Sequence, residues 1–95
     1  MSNLTQRLEY LSTLIRNNSA KLNHYEEYEK ILLSGGIKRN YIFSFLNKAG
    51  FNTWNDFIEA RNRKIHDKEK EANIVGGIIG IGLGLLLLGA LNDND

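Results

Sequence analysis

The sequence predicts an all-α protein, a small cytosolic helical head followed by one transmembrane helix at the C-terminus. Three observations predict it. Ile74 to Leu91 is an apolar run of 18 residues with no polar or charged side chain. No proline interrupts the chain, and no strand-type alternation persists along it. Apolar residues recur at helical spacing through the first 34 positions.

Composition excludes much else. A length of 95 residues allows one small domain and is too short for Rossmann or TIM-barrel scaffolds. Cysteine is absent, which removes disulfides, thiolate metal sites and a cysteine nucleophile. Twelve Lys and Arg face 11 Asp and Glu, a net charge of +1, so no general polyanion binder is expected.

Residues 1–34 read as an amphipathic, coiled-coil-like helix. Ser2 or Asn3 can cap it. Leu4, Leu8, Leu11, Ile15, Leu22, Tyr25 and Leu32 follow a 4–3 spacing once Asn18 and Glu29 are counted as polar members. That is a seam of about four heptads. The alternative is a helical hairpin, one amphipathic stripe broken at Asn17-Asn18-Ser19. Glu26, Glu27 and Glu29 read as a solvated face.

Residues 35–66 read as a small helical hairpin core. Ser34-Gly35-Gly36 supplies stop chemistry. A second helix is expected from Ile37 or Lys38 to Lys48, and Gly50 suits a left-handed position after it. Thr53 then caps a third helix, with Asp56 close to a capping-box position. The expected head core is Tyr41, Ile42, Phe45, Leu46, Phe51, Trp54, Phe57 and Ile58. The third helix is expected to continue through Arg61 to Glu71, across a charged juxtamembrane segment at 67–73, into the span.

Residues 74–91 form the expected span, and 92–95 a polar tail. Eighteen helical residues rise about 27 Å, against a hydrocarbon core of about 30 Å. The chain's mean hydropathy is −0.33 despite this run. A buried core helix is the competing reading. It is disfavoured because a head this small has little surface with which to cover an all-round apolar helix. Glycines also weaken an isolated helix in water by roughly 1 kcal/mol each, an objection that a bilayer relaxes.

The flanks set the expected orientation. Arg61, Arg63, Lys64, Lys68 and Lys70 precede the run, and only Asp93 and Asp95 carry charge after it. The positive-inside rule keeps the N-terminal head in the cytoplasm. Met1 to Thr13 has no apolar core or basic start, so no signal peptide is expected. These features together predict a tail-anchored, single-pass protein of the bacterial inner membrane. The many asparagines point to a bacterium or phage with AT-rich DNA.

Gly76, Gly80 and Gly84 form GxxxGxxxG, a glycine zipper. At about 100° per residue they share one arc of about 100° with Gly77. Gly82 and Gly89 fall on roughly the opposite face. Small faces let membrane helices approach closely, and two of them suit a neighbour on each side. A homo-oligomer in the lipid bilayer is therefore expected. The other faces carry only Ile, Leu and Ala, so nothing lines a hydrated path.

Other chemistry finds little support. The two short helices meeting at Gly50 resemble a helix-turn-helix, but Trp54 looks like core and Asp56 would repel phosphate. Nucleic acid is not an expected partner. His24 and His66 lie far apart, and no phosphate loop, zinc motif or nucleophile elbow is present. Neither an enzyme, a cofactor nor a metal is expected. The leading expectation is a membrane-anchored module whose head binds itself or a protein partner while the zipper clusters it. A second is a small pore-forming or membrane-disrupting effector, phage-encoded, toxin-like or defence-associated. A third is an accessory subunit packed beside a larger membrane protein.

Overall fold

The computed structural model describes residues 4–63, 68–89 and 91. Five helices and no strand occur among them: α1 (Leu4–Arg16), α2 (Leu22–Ser34), α3 (Arg39–Lys48), α4 (Trp54–Arg63) and α5 (Lys68–Leu88). The expected caps at Ser2 or Asn3, together with Lys64, His66 and Asp93, lie outside the described residues. So does the stretch 64–67 between α4 and α5, across which the third helix was expected to continue.

The N-terminal third is a hairpin and not a continuous coiled coil. Asn18, counted above on a helical seam, has φ of 59°, a left-handed conformation that asparagine tolerates better than most residues. The turn is a Schellman motif. Ser19 N–H donates to Leu14 O at 2.8 Å and Asn18 N–H to Ile15 O at 3.1 Å.

The same device ends α2 and α3. Gly36 has φ of 99° and Gly50 of 92°, and each is followed by a 6→1 bond. These are Ile37 N–H to Leu32 O at 3.1 Å and Phe51 N–H to Leu46 O at 2.9 Å. α4 starts as expected. Asp56 N–H donates to Thr53 Oγ1 at 3.1 Å, and the Asp56 carboxylate accepts from Asn52 N–H at 3.4 Å.

α2 is the hub. It touches α1, α3, α4 and α5, whereas α5 lies against α1, α2 and α3. On its α4 side, Tyr25 stacks on Trp54 with centroids 5.0 Å apart and meets Phe57 edge-on at 5.6 Å. Such pairs add roughly 0.5–1.5 kcal/mol beyond their burial. Of the expected head core, Ile42, Leu46, Trp54, Phe57 and Ile58 are buried, and Phe45 and Phe51 are partly buried. Tyr41 is not core: it is 55% exposed. Ile42 and Leu46 take the inner face of α3 at i, i+4 spacing, which leaves Tyr41 and Phe45 on its flank.

Glu29 also departs from expectation. It was read as a solvated acid, and it is buried. Trp54 Nε1 donates to Glu29 Oε1 at 2.9 Å, and Arg39 Nε donates to Oε2 at 2.7 Å. A buried carboxylate is tolerable when both oxygens are bonded and a cation is adjacent.

Candidate functional site

α5 is one helix long and apolar enough to cross a membrane. Its 21 residues span about 31 Å. An 18-residue stretch has a mean hydropathy of 1.9, with only 33% of it buried. Glu69 and Glu71 lie in the first turn, where the helix dipole favours acids. The helix stops at Leu88, short of the expected Leu91. Gly89, read above as part of a second small face, has φ of 66° and terminates the helix instead.

One face of α5 is docked on the head. Ile74, Ile78, Ile79, Gly82 and Leu85 are buried, a spacing that tracks one side of a helix. Tyr28 carries the closest approach. Its hydroxyl donates to the backbone carbonyl of Ile78 at 3.0 Å. In an α-helix that carbonyl points toward the residue four positions on, which here is Gly82. A β-carbon at Gly82 would collide with the Tyr28 hydroxyl and sit 3.1 Å from its ring carbon Cζ. The absence of a side chain at 82 is what opens the backbone to Tyr28.

Two more glycines make close contacts. A β-carbon on Gly77 would strike the Phe45 ring, with Cγ at 2.9 Å. Gly35, read above as stop chemistry, is a packing position. Its φ is −87°, and a β-carbon there would lie 2.8 Å from Leu85 Cδ1 and 3.2 Å from Leu91 Cδ2. Gly36 alone supplies the left-handed turn.

The glycines of the GxxxGxxxG pattern face elsewhere. Nothing lies within 4 Å of where a β-carbon would sit on Gly76, Gly80 or Gly84. They line an open groove with Ile37, Tyr41 and Phe45. The outward stripe continues into Leu83, Leu87 and Leu88, which are 50%, 86% and 82% exposed. The glycines thus divide by role: Gly77 and Gly82 receive the head, and Gly76, Gly80 and Gly84 are uncovered.

The basic flank divides too. Arg61 is committed to the α1–α2 turn, donating to Ala20 O at 2.8 Å and Asn18 Oδ1 at 3.5 Å. Arg63, Lys68 and Lys70 are exposed. Compared with protein-family models, curated proteins and solved structures, the chain matches none of them.

Several polar groups of the head have structural partners. His24 Nδ1 accepts the Lys21 N–H at 2.9 Å, closing the first turn of α2. Arg7 clasps Glu27 with two bonds, at 2.6 and 2.8 Å, and this hydrogen bonding holds the Glu27 carboxyl below its usual range. Burial pushes the Tyr25 hydroxyl up to about 12, against the opposing pull of Arg61, and raises Tyr28 as well. Among the described residues, no group of three His, Asp or Glu side chains could hold a metal ion.

Tyr28, Glu29 and Gly35 are the positions that sequence reasoning missed. A weak signal existed for the first two. Tyr28 lies one turn from Tyr25, and Glu29 falls on the apolar seam at a place where a solvated acid has no reason to be.

Proposed function

We propose that this chain is a single-pass membrane protein anchored by α5. Its helical head mediates association with itself or with a protein partner, and the Gly76-Gly80-Gly84 face clusters the span in the bilayer. The observation that carries the reading is the outward stripe of α5. A helix built only to complete a soluble core carries polar residues on its far side. α5 instead presents bare glycines and the exposed leucines Leu83, Leu87 and Leu88. Stripes of small residues allow close approach of helix backbones in lipid.

The exposed Arg63, Lys68 and Lys70 suit the head-side interface, where each basic residue gains about 1 kcal/mol from anionic lipid. No side chain between Ile74 and Leu88 is polar, which favours anchoring and clustering over a hydrated conduit.

The test is cross-linking in isolated membranes of expressing bacteria. The full chain is expected in the carbonate-resistant fraction as cross-linked oligomers. Gly80→Leu is expected to remain in that fraction as monomer. Oligomers that persist with Leu at 80 would remove the zipper from the mechanism. Loss of the wild-type chain to the soluble fraction would remove the anchor.

A further inference from the structure

α5 has two claims on the same residues. Ile78, Gly82 and Leu85 are buried against the head. The same positions lie inside the stretch that is apolar enough to cross a membrane. The head cannot follow them there. Beside α5 on α1 stand Glu9 and Arg16, charged side chains that a hydrocarbon core rejects. A docked α5 and a spanning α5 therefore exclude each other.

The docked state is built with specific complementarity. Tyr28 spends its buried hydroxyl on the Ile78 carbonyl, Gly82 leaves the opening that permits it, and Phe45 covers Gly77. None of these contacts is needed by a helix whose place is in lipid. The head also depends on them: Leu8, Leu11 and Tyr28 are at most 1% exposed with α5 in place.

We propose that α5 is a two-position helix, held against its own head in a closed chain and released to insert, with Tyr28 over Gly82 as the latch. The closed state hides the Ile78 and Leu85 face of α5 before insertion, and undocking is the step that commits the chain to the bilayer. This inference rests on the membrane reading above.

The chain has no cysteine, so an introduced pair can be read without interference. Phe45 Cγ lies 2.9 Å from where a Gly77 β-carbon would sit, which brings the two β-carbons within disulfide reach. The full-length Phe45→Cys/Gly77→Cys chain is synthesised in water without membranes, oxidised, and floated with phosphatidylethanolamine–phosphatidylglycerol vesicles. The disulfide is expected to form quantitatively. The oxidised chain is expected to stay unbound, and reduction to raise the vesicle-bound fraction at least tenfold. Tyr28→Phe, which keeps the ring and loses the hydrogen bond, is expected to insert several-fold faster than wild type. Failure of the pair to oxidise in water would overturn the docked state. Equal flotation of oxidised and reduced chains, with wild type also floating, would overturn the latch and leave the anchor intact. A wild-type chain that never floats would overturn the anchor and the two-position helix with it.

Discussion

The Tyr28 hydroxyl donates a 3.0 Å hydrogen bond to the backbone carbonyl of Ile78, fifty residues along the chain. It reaches that carbonyl because position 82, one turn further on, carries no side chain. One tyrosine thereby ties the hub helix to the apolar helix at a point where both are buried. Tyr28→Phe is expected to lower the stability of the closed chain by about 1 kcal/mol, the net worth of a neutral hydrogen bond. Urea unfolding measures it, and amide exchange in α5 should rise more than in α4.

The two sets of glycines should respond to alanine with opposite signs. At Gly80 the methyl group meets nothing and the helix gains propensity, so Gly80→Ala is expected to stabilise by up to about 1 kcal/mol. At Gly82 the methyl group meets the Tyr28 hydroxyl, and Gly82→Ala is expected to cost about 1–3 kcal/mol, as overpacking does. Thermal melts of the two variants in water decide this. Equal shifts would show that α5 is not seated under Tyr28.

Glu29 should matter through Trp54 more than through Arg39. Glu29→Ala strands the buried indole N–H, which costs about 1–3 kcal/mol. Glu29→Gln retains an acceptor for Trp54 and loses only the charge opposite Arg39. The Arg39 side chain is 64% exposed, so that loss is expected to stay below about 1 kcal/mol. Trp54 is the only tryptophan, so its fluorescence reports unfolding in both variants.

Alkaline pH should weaken the fold through Tyr25. Its hydroxyl is buried with no hydrogen-bond partner among the described residues, and its pKa rises from 10.0 to about 12. The folded chain holds that proton more tightly than the unfolded one. The resulting stability is fully present below pH 10 and is lost as pH rises toward 12. The slope approaches about 1.4 kcal/mol per pH unit for one tyrosine. Tyr25→Phe is expected to flatten the decline between pH 10 and 12 in denaturation midpoints, and an unchanged slope would assign it to another group.

Much of the fold was legible because helix ends are written in local chemistry. Gly36, Gly50 and Thr53 act where backbone conformation alone demands them. Asn18 was harder to read. The heptad spacing ran straight through it, and only its left-handed φ separates a hairpin from a coiled coil. Tyr41 misled for a related reason: apolar neighbours at Ile42 and Phe45 place it on a helix without saying which flank faces in.

By itself the sequence determined the all-helical class, the breaks at Gly36 and Gly50 and the presence of one helix apolar enough for a membrane. Those properties depend on single residues and near neighbours. Only the tertiary structure decided that Gly77 and Gly82 receive the head, that Gly76, Gly80 and Gly84 stay open, and that Glu29 lies inside. The physical reason is that hydropathy measures aversion to water and is blind to what replaces it. A lipid tail and the Leu8–Tyr28 surface of the head accept the same isoleucines. The close approach of Tyr28 to Gly82, which distinguishes them, joins positions 54 residues apart in sequence.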